Sequence, residues 1–109
     1  MFNVLTGNCK KVLSTYGENY FHSCITDPPY GMGMDHWDHS VPDVDIWREV
    51  YRTLRPGAFC LAFCSPELYH RLACNVEDAG FMIKDQIMWM TTTKMAKYNR
   101  LKPAHEPIV

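Results

Sequence analysis

Seven consecutive residues, Ala58 to Cys64 (Ala-Phe-Cys-Leu-Ala-Phe-Cys), carry no charge, amide or hydroxyl in their side chains. A strand with one wet face alternates apolar and polar residues. An unbroken apolar run instead fits a strand covered on both faces, as in the parallel sheet of an α/β domain. The flanks agree. Upstream, Ser40-Val41-Pro42-Asp43 reads as a capping box with proline in the first helical turn. Ile46, Val50 and Leu54 then recur every four residues, with Trp47 and Tyr51 beside them, and Pro56-Gly57 is expected to end that helix. Downstream, Ser65-Pro66-Glu67 opens another helix, with Leu68, Leu72, Ala73 and Val76 on one side and Gly80 closing it.

The rest of the chain keeps the alternation. Phe2 to Thr6 reads as a short strand, and Cys9 to Tyr16 as a brief helix with Asn8 as its N-cap and Gly17 as its stop. Phe21 to Thr26 reads as a strand running into Asp27, Phe81 to Met90 as a long strand, and Glu106 to Val109 as the start of one more. The order β-α-β-α-β-α-β-β predicts one three-layer α/β domain. A chain of 109 residues holds one domain at most.

Composition excludes several classes. No run of 18 or more apolar residues occurs, and the first residues lack the basic head and apolar stretch of a secretory leader. A cytoplasmic protein without a membrane span is expected. The five cysteines are odd in number and form no Cys-x-x-Cys pair, so they read as small buried hydrophobes in a reducing compartment. A net charge of −1 argues against a general nucleic-acid coat. The charge is unevenly spread, however. Gln86 to His105 holds Lys94, Lys97, Arg100 and Lys102 with no acid, and Tyr98 lies among them. Such a stretch is either a solvated loop or a contact for phosphates.

Asp27-Pro28-Pro29-Tyr30 stands where ligands bind in open α/β sheets, just beyond the carboxyl end of a strand. Two prolines fix φ and remove two N–H donors, and Pro28 pushes Asp27 toward an extended conformation. The product is a stiff ledge with a carboxylate, undonated carbonyls and an aromatic ring. Gly31 and Gly33 then allow a sharp turn or a close approach to a ligand. A plain turn is the bland reading. At average composition, though, the four-residue string arises by chance in fewer than about one in a thousand chains of this size.

The chemistry that suits such a ledge is activation of an exocyclic amine. Its nitrogen lone pair is delocalised into the nucleobase ring. Two acceptors, the Asp27 carboxylate and the Pro28 carbonyl, can bind both amine hydrogens and draw the nitrogen toward tetrahedral geometry, freeing the lone pair for attack on a methyl group. Tyr30 can stack on a base flipped from its duplex, an interaction worth about 1–3 kcal/mol.

Thr26-Asp27-Pro28-Pro29-Tyr30-Gly31 resembles motif IV of the DNA amino-methyltransferases, which modify adenine or cytosine. Leu5 to Cys9 resembles the strand and turn preceding that motif in the beta class, and Trp47 to Gly57 the helix and Arg-Pro-Gly turn after it. Gln86 to Trp89 and His105 to Val109 resemble later segments, so the likeness spans nearly the whole chain. It implies a partial three-layer, Rossmann-like sheet, mostly parallel with one late antiparallel strand. It also implies S-adenosylmethionine as methyl donor, DNA as substrate, and Asp27, Pro28, Pro29 and Tyr30 as catalytic residues. By family habit, Asp27 favours adenine over cytosine. Asp27 and Asn8 are the candidate cofactor contacts, and Lys94, Lys97, Tyr98, Arg100 and Lys102 the candidate DNA contacts.

Two departures accompany the likeness. Gly7-Asn8 stands where the family usually has Gly-Asp, and no Phe-x-Gly-x-Gly string occurs to cradle the cofactor. The cofactor pocket is therefore expected to be incomplete. The chain reads as an N-terminal piece of a larger enzyme, inactive alone, with an open sheet edge at the strand before Asp27. That edge would suit a complementing fragment or a second copy. A non-catalytic module that binds nucleic acid or a partner chain is the competing reading. Asp35-His36-Trp37-Asp38-His39 offers a weaker one, a metal site, but no cysteine lies near it and no metal is expected.

Overall fold

The computed structural model of the chain describes residues 2–29, 40–91 and 105–109. Helix α1 spans Cys9–Leu13, strand β1 Phe21–Thr26, helix α2 Val44–Thr53, strand β2 Leu54–Ala62 and helix α3 Tyr69–Asp78. Strands β3 (Ile87–Met90) and β4 (His105–Ile108) follow.

Strands β1 and β2 pair in parallel, with Cys24 opposite Cys60 and Thr26 opposite Ala62. Strands β3 and β4 pair antiparallel, with Ile87 opposite Ile108. Ala62 and Val109 join the two pairs by exchanging backbone bonds of 2.9 and 3.0 Å, and Cys64 N–H donates to the Pro107 carbonyl at 3.0 Å. The strands therefore run in the order β1-β2-β4-β3, with β4 the antiparallel member. That matches the expected α/β sheet, mostly parallel with one late antiparallel strand.

Helices α2 and α3 pack on one face of this sheet. Trp47, Val50, Leu54, Ala62, Cys64, Leu72 and Val76 form the core, with Cys24, Ala58 and Cys60 packed against it. The apolar stripe of α2 buries Trp47 and Val50, and that of α3 buries Leu72 and Val76. The Pro42 carbonyl ties the two helices. It accepts from Trp47 Nε1 at 3.2 Å and from Asn75 Nδ2 at 3.0 Å.

Several boundaries differ from those the sequence suggests. Residues 2–6 form no strand. No strand stands beside them among the described residues, and Phe2 and Val4 are 87% and 83% exposed. Helix α1 stops at Leu13, with turn bonds carrying the chain to Tyr16; Asn8 caps it as expected. Helix α2 is capped by Asp43, whose Oδ1 accepts from Ile46 N–H, rather than by a box starting at Ser40.

Its other end also moves. Thr53 Oγ1 donates back to the Glu49 and Val50 carbonyls, and Leu54 turns extended to pair with Phe21. Pro56-Gly57 therefore lies inside β2. The register jumps from Phe21↔Leu54 to Ser23↔Phe59, so Arg55 to Ala58 bulge out of the ladder. Proline has no N–H to give there, and Gly57 takes φ +81°. Helix α3 begins at Tyr69 rather than Ser65, after a turn that has no side-chain cap. Only the last four residues of the segment 81–90 are strand.

The described helices α2 and α3 cover one face of the sheet. Ile25 and Phe59 point away from α2 and α3 and are 72% and 67% exposed. Among the described residues, nothing forms a second helical layer over them, and β1 pairs only with β2. Among the described residues no strand pairs with its outer edge.

Candidate active site

The ledge is built by the end of β1. Phe63 N–H donates to the Thr26 carbonyl at 3.0 Å, which fixes the last strand residue before Asp27. Asp27 is exposed, while Pro28 and Pro29 are half-buried. The carboxylate thus stands at the carboxyl end of a parallel strand, on a backbone anchored by its neighbour. Tyr30 lies outside the described residues, as do Gly31, Gly33 and the Asp35–His39 segment.

Asp27 has a neighbour that local sequence could not disclose. Cys64, fully buried, sits close enough to feel its charge. Burial pushes the Cys64 thiol up to about 11, hydrogen bonding from Ser65 opposes the rise, and the Asp27 carboxylate adds to it. The two meet because β1 and β2 run side by side in register, a relationship 37 positions apart in the chain.

Asn8, the other candidate cofactor contact, is used locally. Its Oδ1 accepts from Lys10 and Lys11 N–H at 3.1 and 3.3 Å and so caps α1. The structure does not bring Asn8 to Asp27 through any described contact. Lys94, Lys97, Tyr98, Arg100 and Lys102 lie outside the described residues. Among the described residues, no group of three His, Cys, Asp or Glu side chains is placed to hold a metal. No described helix is long and apolar enough to cross a membrane.

A groove of about 860 Å³ runs along β2 from Leu54 to Leu61. Arg52, Leu54, Phe59 and Cys60 line one side, and Phe81, Ile83 and Val109 are among those opposite. Asp27, Pro28 and Pro29 take no part in it, so the cavity is separate from the ledge.

The DNA methylase family N6_N4_Mtase matches residues 21–109. This chain belongs to that family. Among its relatives, the provisional methylase YubD of Escherichia coli K12 is 27% identical over 90% of this chain and 47% of its own length. The type II methyltransferase M.HpaI of Haemophilus parainfluenzae is 26% identical over 97% of this chain and 37% of its own. The chain thus spans between about a third and a half of these relatives. TTHA0409 of Thermus thermophilus, an inferred DNA modification methylase, superimposes with a TM-score of 0.71 at 24% identity. That alignment takes in 94% of this chain and 48% of TTHA0409. The likeness of structures speaks to the fold, a Rossmann-like methyltransferase sheet.

Proposed function

We propose that this chain supplies the base-facing side of a DNA amino-methyltransferase site, acting on the exocyclic amine of adenine in preference to cytosine. The observation that carries the reading is the position of Asp27-Pro28-Pro29, at the carboxyl end of β1 in a chain of the DNA methylase family. Asp27 and the Pro28 carbonyl accept the two amine hydrogens and pull the nitrogen out of conjugation. Pro29 holds the ledge rigid, and Tyr30 stacks on the flipped base. As the nitrogen gains a fourth bond and positive charge, the adjacent carboxylate stabilises it and can take its proton.

S-adenosylmethionine, present in a TTHA0409 complex that aligns with a TM-score of 0.69, would supply an electrophilic methyl group. The described residues of this chain do not by themselves make a seat for it. Asn8 is occupied as a helix cap, and among the described residues no glycine-rich strand-turn-helix stands beside the open edge of β1. In this reading, chain not contained in these 109 residues provides that cradle. The arrangement would be completed by a complementing fragment or by a longer form of the protein, in the cytoplasm where DNA is accessible. Lys94, Lys97, Tyr98, Arg100 and Lys102 would contact the DNA backbone.

The test is nucleoside analysis of DNA treated with a methylating form of the protein, wild type beside Asp27→Ala. N6-methyladenine is expected from the wild type and none from the variant. Undiminished methylation by Asp27→Ala would refute the site, and N4-methylcytosine would reassign the base. The open edge of β1 favours one second reading, a non-catalytic module that binds nucleic acid or a partner chain. Calorimetry of this chain with S-adenosylmethionine separates the two. Tight binding by the chain alone would defeat both the module and the missing cradle.

A further inference from the structure

Cys24 and Cys60 are direct Cα partners on the adjacent parallel strands β1 and β2. Neighbouring strands lie about 4.7–4.9 Å apart, inside the Cα separation of about 4.4–6.8 Å that disulfides span. Partners in register project from the same face, here the face toward α2 and α3, and both side chains are half-buried and unoxidised. The nearness of the two side chains favours the ionised form of Cys24 and, together with burial, keeps the proton on Cys60. Cys60 also lines the groove along β2, so a small reagent in that groove arrives beside the pair. Cys9 and Cys74 are exposed without such a partner across a strand, and Cys64 is buried.

We propose that Cys24 and Cys60 form a dithiol modification site, which a low-molecular-weight disulfide converts into a disulfide linking β1 to β2. The Cys24 thiolate attacks one sulfur of the reagent, forming a mixed disulfide and releasing one thiolate, which takes up a proton. Cys60 then attacks the Cys24 sulfur. Its own proton passes to the second departing thiolate. The two cysteines lose two electrons and two protons, and the reagent leaves as two thiols. The Cβ atoms of a parallel pair stand near the strand spacing, slightly wider than the usual disulfide value of about 3.5–4.5 Å, so thiols reverse the bond readily. The cross-link falls three residues before Asp27 and would fasten the strand that carries the ledge. This inference does not depend on the methyl-transfer reading.

The experiment treats the reduced chain with oxidised glutathione in native buffer and maps peptides without reduction. A Cys24–Cys60 linked peptide lighter by two hydrogens is expected, with glutathione adducts at Cys9 and Cys74 and release of the link by dithiothreitol. Separate adducts on Cys24 and Cys60, or their lack of reaction while Cys9 and Cys74 react, would overturn the proposal. In Cys60→Ser, Cys24 should keep its glutathione as a stable mixed disulfide; rapid loss of that adduct would contradict the resolving role. The wild-type reaction repeated in urea guards against a variant that fails to fold. The link should form faster in native buffer than in urea, and a link that forms only in urea counts against the site.

Discussion

Arg52 and Glu49 form a 2.6 Å ion pair one turn apart on α2, and the pair is a hub rather than a surface ornament. The same guanidinium donates to the Tyr16 carbonyl at 2.9 Å and the Leu13 carbonyl at 3.0 Å. It thereby adds a bond to the Leu13 carbonyl, which also accepts from Tyr16 N–H, and fastens the turn after α1 to α2. The two side chains are 29% and 22% exposed, so solvent screening is incomplete. Arg52→Ala should lower stability by about 2 kcal/mol, since three charge-assisted bonds are lost at a partly wet site. Arg52→Lys should recover little, because an ammonium cannot reach three acceptors in a planar fork. Urea titration of the three proteins checks both statements; equal midpoints for wild type and Arg52→Ala would contradict them.

Leu72 and Phe59 should respond in opposite ways to truncation. Leu72 is fully buried between α3 and the rest of the core, so Leu72→Ala should cost about 2–5 kcal/mol through lost transfer energy and a cavity. Phe59 is 67% exposed on the bare sheet face, and Phe59→Ala should stay within about 0.5 kcal/mol of wild type in this chain. Denaturant midpoints measured side by side decide it. A large loss from Phe59→Ala would mean that the face is covered in solution.

Elements that a local pattern defines were legible in the sequence. The four-residue recurrence of Ile46 and Val50 marked α2, Leu72 and Val76 marked α3, and the strand reading of Phe21 to Thr26 marked β1 and placed Asp27 at its tip. What failed depended on partners distant in the chain. Phe2 to Thr6 has strand-forming residues but no strand beside it among those described. Pro56-Gly57 looked like a helix stop. Yet the ladder with β1 claims Leu54 first and turns Pro56-Gly57 into a bulge. That Cys24 faces Cys60, and that Asp27 reaches Cys64, follows only from the register between two strands.

Cys64 should make stability fall in alkali. Its thiol is raised from 9.0 to about 11, mainly by burial. The unfolded chain releases this proton near pH 9.0, whereas the folded chain holds it up to about pH 11. The folded state therefore binds more protons in that window, and unfolding becomes easier as pH rises through it. The contribution is complete below pH 9.0 and lost by about 11, an effect on the order of 2 kcal/mol. Asp27, Ser65 and Tyr69 are the groups that face this thiol electrostatically, and Tyr69 is itself raised by burial and by Cys64. Urea midpoints from about pH 8 to 11 should drop more steeply in wild type than in Cys64→Ala. Parallel curves would show that Cys64 does not hold its proton.

The basic stretch should reveal itself through salt. Lys94, Lys97, Arg100 and Lys102 fall within nine residues that carry no acid, on the C-terminal side of β3. The DNA reading requires them to meet phosphates and release counterions. Each phosphate contact contributes about 0.9 to the slope of log affinity against log salt concentration. Replacing all four with alanine should therefore flatten that slope by about 3–4 for duplex DNA, with little change between sequences. A solvated loop predicts no change, because charges far from the backbone release nothing. Fluorescence anisotropy at several sodium chloride concentrations distinguishes the outcomes. Flattening confined to one DNA sequence would point instead to base contacts, because phosphates are the same in every sequence.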